Sequence, residues 1–492
     1  MPKGKTSVSA VLKKYVSDNP QIFTSDGKIL FCKICSKGVS YDKKFQVDQH
    51  LKSMRHTELS TLSNSTNSQQ LLSFRTTQNN FNMDLCEAFV AADIPLSKLN
   101  NPSLRKFLFE YTKEIVPDSS TLRKNYINKM YILLTDKIKS VLKDEYIWIS
   151  IDETTDIQGR FVANVVAGVL SQNEDLRKKV LLNVVELEKT NHSTIAQIFD
   201  ETVNYFGIKK NKILLFLTDA APYMIKAARG LKILYPKLIH VTCLAHALHR
   251  VAEQIRSNFK NVDLLISSGK KIFLKAPSRV ENFKTRYPLT PLPPQPIVTR
   301  WGTWLEAVAY YAKNYKEFED IVNGLDDSDA VAIKNTKEAL KKPSLKSEII
   351  FINSNYTFLC DVIIQLEGNN SLKKQVDLIE TVVSKIGAVE GSFGVAIKEK
   401  LDNVLKKNEG FLQMKNICRA FSLSCVEEDY MEHLTPQEIC SLKNAPLTSV
   451  DVERSFSMYK TFQRPNRQSF TFENLRKNFM IYANKAYENC EN

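Results

Sequence analysis

Long apolar runs are missing from this 492-residue sequence: no stretch approaches the ~18 residues that a membrane helix requires, so no membrane partner is expected. The opening residues, MPKGKTSVSA, lack the apolar core of a secretion signal. Cysteine is sparse. There are nine, an odd number, and only Cys32 and Cys35 sit close together, which excludes the dense disulfide framework of a small secreted protein. A soluble intracellular protein is expected. No internal repeat is present, so a solenoid or propeller is not indicated. Acids are also short: 54 Asp plus Glu face 68 Lys plus Arg, a formal charge of +14. That excess favours a polyanionic partner, and nucleic acid before membrane, because no amphipathic anchor accompanies the charge. A basic protein with no particular partner is the alternative that charge alone leaves open.

What is present suffices for a folded core: 43% hydrophobic and 10% aromatic residues. At roughly 150 residues per domain the length predicts about three units. A compact basic module over 20–56 is followed by 57–80, where 17 of 24 positions are Ser, Thr, Asn or Gln, a composition expected of a linker. Residues 81–142 carry apolar positions at helical spacing (Leu85, Phe89 and Val90; Leu104, Phe107 and Leu108), with breaks at Pro95 and Pro102. From 143 to 254 the pattern reads βββαβαβα, the order of a mixed sheet flanked by helices. Residues 255–440 read as helical, except for five prolines between 288 and 296 that predict an extended, stiff connection. Residues 441–492 are helical again.

Cys32-x2-Cys35, fourteen residues, then His50-x5-His56 supply four ligands for a tetrahedral Zn²⁺. The thiolate pair suits a knuckle after a strand. The imidazoles suit a helix with Phe45, Val47, His50, Leu51 and Met54 on one face, giving a small ββα finger. A segment this small has little core, so the metal would supply much of its folding energy. Lys37, Lys43, Lys44, Gln46, Gln49, Lys52 and Arg55 then form a surface suited to double-stranded DNA, with the cations on phosphate and Gln available to base edges.

Three acids stand where a metal-dependent nuclease would need them: Asp152 in WISIDETTD, Asp219 in LLFLTDAAPYM and Glu453 in PLTSVDVERSFS. Two strand ends and a helix can converge three carboxylates, hard ligands suited to Mg²⁺ or Mn²⁺. Singly, an Asp after a strand is most often a cap or turn residue, and an acid on a helix is usually solvated. Glu153, Asp156 and Asp451 are neighbours that could share or replace the role. Cys243, His246 and His249 lie on one helix face and raise a second zinc as an option, without an obvious fourth ligand.

The long His–His gap of the finger resembles the BED-type fingers of hAT-superfamily transposases, and AADIPLSKLNNPSLRKFLFEY resembles the CGG triplet repeat-binding family over roughly residues 20–130. IDETTD, TDAAPYM, CLAH, TRW and VDVERSFS fall in the order of the hAT signatures across roughly 145–485. That resemblance implies an RNase-H-like α/β core interrupted by a large all-α insertion, a catalytic Asp152–Asp219–Glu453 triad, and Cys243 and His246 beside it. It further implies that Arg300 and Trp301 meet a base flipped from a cleaved end, that 441–492 includes a dimerisation region, and that a nuclear dimer or larger homo-oligomer binds terminal inverted repeats. The competing expectation is a non-enzymatic DNA-binding transcriptional regulator that keeps the core as a scaffold. Many relatives are Asn-rich after the second Asp, whereas this chain has Ala220, Ala221, Pro222 and Tyr223.

Overall fold

The computed structural model describes residues 8–63, 68–297, 302–421, 433–463 and 470–490. They form two compact units, Met1–Leu85 with Arg105–Pro117, and Cys86–Leu104 with Asp118–Asn492.

In the first unit, α1 (Val8–Asp18) precedes β1 (Phe23–Ser25), β2 (Leu30–Cys32) and β3 (Lys37–Val39), which pair in sequence as an antiparallel sheet. Two helices follow, α2 (Lys44–Leu51) and α3 (Met54–Ser63). Leu12, Phe23, Leu30, Val39 and Val47 close around Cys32 and Cys35. The ββα expectation is therefore met and extended by a third strand and by α1, which begins well before residue 20. Phe45 and Met54, expected on the inner face, are instead 59% and 74% exposed. Phe45 lies two residues before the buried Val47 within α2, about 200° round the helix, and so faces outward. Met54 follows a break at Lys52–Ser53, where the Ser53 hydroxyl donates to the His50 carbonyl. The described parts of the polar stretch expected as a linker, 57–63 and 68–80, are helical, in α3 and α4 (Ser68–Ala91). The stretch contains no Pro or Gly to prevent this. Beyond the breaks at Pro95 and Pro102, α5 (Pro102–Thr112) buries none of its residues, so Phe107 is exposed rather than packed.

The larger unit holds a five-stranded sheet. After α6 (Ser119–Leu122) and α7 (Asn128–Leu142) come β4 (Ile147–Thr155), β5 (Phe161–Val169), β6 (Lys179–Leu187), α8 (His192–Phe206), β7 (Ile213–Thr218), α9 (Pro222–Leu234), β8 (Ile239–Thr242) and α10 (Leu244–Asn258). The strand order is β6-β5-β4-β7-β8, antiparallel among the first three and parallel across β4, β7 and β8. Ile147, Ile149 and Ile151 on one face of β4 pack with Phe199, Val203, Met224 and Leu231 of α8 and α9. Alternation along the strand leaves Trp148, Ser150 and Asp152 on the other face.

A helical region follows: α11 (Lys260–Gly269), α12 (Pro277–Arg286), α13 (Gly302–Lys313), α14 (Tyr315–Asn323), α15 (Val331–Leu340) and α16 (Leu345–Tyr356). It continues with α17 (Phe358–Leu366), α18 (Leu372–Gly387), α19 (Gly391–Lys406), α20 (Glu409–Ala420) and α21 (Pro436–Ser441). The stretch Leu345–Leu366, with mean hydropathy 1.4 over its most apolar window, is long and apolar enough to cross a membrane, contrary to the sequence expectation. Here it divides into α16 and α17, whose Ile349, Ile352, Leu359 and Ile363 are buried, against α13 and α18 among others. The proline segment opens on a turn, where the Thr290 amide donates to the Tyr287 carbonyl at 3.1 Å, and has no helix or strand over 291–297. Pro293 is buried and the Tyr310 hydroxyl donates to the Pro291 carbonyl at 2.7 Å.

The chain then returns to the sheet. Helix α22 (Val450–Phe462) packs on β4 and β5, and α23 (Phe472–Cys490) on β6 and α7. Leu475 and Phe479, on the helix expected to serve dimerisation, are buried within the chain itself. Gly410 opens α20 directly on the edge of β8, where an added Cβ would lie 1.8 Å from the His240 carbonyl oxygen. Backbone cannot swing aside as a side chain can. Gly410→Ala is expected to lower stability by about 1–3 kcal/mol, read by denaturant unfolding. An unchanged midpoint would show that α20 does not press on β8.

Candidate metal centre and acidic site

Cys32 ends β2, Cys35 follows on the knuckle, His50 lies in the last turn of α2 and His56 at the start of α3. All four ligand atoms lie within 4.8 Å of one another. The His56 Nδ1 is 3.6 Å from the Cys32 sulfur and 3.2 Å from the Cys35 sulfur. A tetrahedral zinc with ordinary bond lengths sets such S···N edges at ~3.6 Å. The Cys35 amide donates to the Cys32 sulfur at 3.3 Å, and the buried His50 Nε2 has no hydrogen-bond partner. Burial, then Cys32, pushes the Cys35 thiol up to about 11, while burial pulls both imidazoles down. Two thiolates would supply the negative charge and two neutral imidazoles the remaining lone pairs. The donor set fits structural zinc.

On the surface beside this centre, Lys37, Lys43, Lys44, Gln49, Lys52 and Arg55 are exposed. Gln46 is partly buried, and its Oε1 accepts from the Lys43 amide at 3.0 Å, so it caps α2. This use competes with the base-reading role expected of it.

In the larger unit, Asp152 lies near the end of β4 and Asp219 just beyond the adjacent, parallel β7. Asp219 Oδ1 accepts from the Ala221 amide at 3.0 Å. Asp152 pairs across the sheet with Asn164, whose Nδ2 donates to Ser455 of α22 at 2.7 Å. That buried bond seats the first turns of α22 over the Asp152 face. Three segments meet there: the Cys243 amide donates to the Thr218 carbonyl, the Leu244 amide to the Leu447 carbonyl, and the Ser449 amide to the Cys243 sulfur. The result places His246 Nδ1 3.6 Å from Glu453 Oε1. Burial alone would pull His246 down, but Cys243, Glu453 and Asp152 outweigh it and raise the imidazole to about 10. Burial, then Asp219, then Glu153 pushes Asp152 up to about 8. Burial, then Asp219, pushes Glu153 up to about 7.

Glu153, next to Asp152 along β4, turns towards α9. It accepts a hydrogen bond from the Tyr223 hydroxyl, and its second oxygen is buried without a partner. Tyr223 had no signal beyond its departure from an Asn-rich pattern. Asp156 and Asp451 are engaged elsewhere: Asp156 binds Arg160 at 2.7 Å and Gln463 at 2.9 Å, and Asp451 pairs with Lys179 and Arg454. His249 is no partner in a zinc cluster with Cys243; its Nδ1 accepts from the Gly302 amide at 3.3 Å. Arg300 and Trp301 lie outside the described residues. Nearby Trp304 is buried and donates to Asp263.

Buried carboxyls with raised pKa and an orphaned oxygen suit a hard divalent cation, which would replace their protons. The sign is determinate. Without a cation the folded site retains protons that an unfolded chain releases near pH 4, so stability falls as pH rises from about 4 to 8. Millimolar Mg²⁺ should therefore raise the melting temperature more at pH 8.5 than at pH 6, by ~2 °C or more. Equal gains at both pH values would remove these acids as the ion's site.

Comparison with known families divides the chain. Residues 5–61 match the CGGBP1 N-terminal domain and residues 73–129 the CGGBP1 helical domain. Residues 117–272, which include the whole five-stranded sheet with Asp152 and Asp219, match a domain of unknown function, DUF659. No curated protein matches the chain. The sequence is similar, part by part, to a CGGBP1-type amino-terminal region joined to a DUF659 domain.

Proposed function

We propose that this chain is a nuclear DNA-binding protein of hAT transposase descent whose core keeps a metal-dependent strand-cleaving site. The observation that carries the reading is the placement of Asp152 near the end of β4 and Asp219 just past the adjacent parallel β7, with Glu453 on the helix that packs against β4 and 3.6 Å from His246. The strand order, three antiparallel strands followed by two parallel ones, supports an RNase-H-like core with the helices of 255–440 as its insertion. The CGGBP1-type matches and the exposed cations of α2 and α3 support DNA binding.

In this reading Lys37, Lys43, Lys44, Lys52 and Arg55 grip phosphates and orient the duplex. Asp152, Asp219 and Glu453 would hold Mg²⁺ or Mn²⁺, with Glu153 next to Asp152 on the strand. Bound there, the metal would supply activation of an attacking oxygen and charge stabilisation of the departing one in phosphoryl transfer. Tyr223 holds the Glu153 carboxyl in place, and His246 faces Glu453 from the first turn of α10. The nucleophile is water or a DNA hydroxyl, so no covalent enzyme intermediate is required. Assembly as a homo-oligomer would use a surface other than the buried face of α23.

Incubation of the full chain with inverted-repeat DNA and Mg²⁺ tests this: nicks are expected near the element end. A saturated but intact duplex would leave the second reading, a DNA-binding regulator with an inert core. That reading is favoured by one observation: the CGGBP1-type matches stop at residue 129, before the acids begin.

A further inference from the structure

The Cys243–His246–Glu453 cluster does not depend on the cleavage reading. We propose that these three side chains form a second binding site for a zinc-class divalent ion, distinct from the finger and sharing Glu453 with the acids of the cleavage reading, with a fourth position open to water. Their ligand atoms all lie within 4.8 Å of one another. They come from the start of α10, its first turn and the first turn of α22, so the fold rather than local sequence assembles them.

The separation between His246 Nδ1 and Glu453 Oε1, 3.6 Å, is too long for a hydrogen bond. It is close to the ~3.4 Å edge that a tetrahedral ion with ordinary Zn–N and Zn–O bonds spans. That His246 nitrogen is buried and has no hydrogen-bond partner, an orphan that a metal would satisfy. The Cys243 sulfur is buried and accepts from the Ser449 amide at 3.2 Å, a contact that supports a thiolate. The Ser449 hydroxyl lies 3.5 Å from Glu453 Oε1, so one residue steadies two of the three ligands. A thiolate, an imidazole and a carboxylate together select a borderline ion such as Zn²⁺ over Mg²⁺, which prefers oxygen alone. Three protein ligands leave the geometry open, unlike the closed four-ligand finger.

The test counts ions. Full-length protein equilibrated with Zn²⁺ and then desalted should carry two zinc per chain by atomic emission. Cys243→Ser and His246→Gln should each carry one, and Cys35→Ser should lose the other. Loaded with Co²⁺ instead, Cys35→Ser should still give a thiolate–cobalt band in the near ultraviolet, and adding Cys243→Ser should remove it. One zinc in the wild type, or two retained in both Cys243→Ser and His246→Gln, would overturn the site. If Cys243→Ser alone fails to fold, the folded His246→Gln variant decides the count.

Discussion

Cys35→Ser is expected to abolish sequence-selective DNA binding in a mobility-shift assay, leaving only the weak, salt-sensitive binding that a +14 chain has for any polyanion. The module has a small core, clustered on Leu12, Phe23, Leu30, Val39 and Val47 around the two cysteines. Zinc binding worth roughly 10–16 kcal/mol in comparable fingers exceeds what that core supplies. Loss of one thiolate removes both the ion and the angle between α2 and α3 that its two imidazoles hold. Selective affinity should fall by ~10³-fold or more, to the non-specific level. Chelation should reproduce the loss and added zinc reverse it. Unchanged selectivity in Cys35→Ser would move recognition out of the finger.

Asp152→Asn should leave that binding intact while lowering Mg²⁺-dependent nicking by roughly 10³-fold or more, the scale expected when one member of a concerted catalytic set is removed. Asn keeps the shape and one oxygen but not the charge that a divalent ion requires. The same substitution removes a buried carboxyl that is pushed up to about 8, so metal-free Asp152→Asn should melt above the wild type at pH 8. That opposite effect on stability separates lost chemistry from lost folding. Equal nicking by Asp152→Asn and wild type would exclude the assigned acids.

Several features were legible before folding because they are local. The Cys and His spacing announced a four-residue cluster that fits zinc, and alternation and helical period announced the βββαβαβα order, which the sheet follows strand by strand. Pro95 and Pro102 marked real helix boundaries. Other inferences failed for equally physical reasons. Phe45 and Met54 looked inward, but Phe45 sits on the face of α2 opposite the buried Val47, and Met54 falls beyond the break at Ser53. Leu345–Leu366 is two helices, each burying one apolar stripe in the helical region (Leu345, Ile349 and Ile352; Leu359, Ile363 and Leu366) while Ile350 and Ile364 remain exposed.

Composition and spacing by themselves determined a basic chain with a zinc module, a mixed sheet and a long helical stretch after it. Only the tertiary structure decided which acids meet. Parallel pairing of β4 with β7 brings Asp219 to the end of the sheet where Asp152 and its chain neighbour Glu153 lie, whereas Asp156 and Asp451 are claimed by Arg160 and Lys179. Glu453 reaches His246 because a buried Asn164–Ser455 bond seats α22 on the sheet, across a separation in sequence that no local pattern encodes.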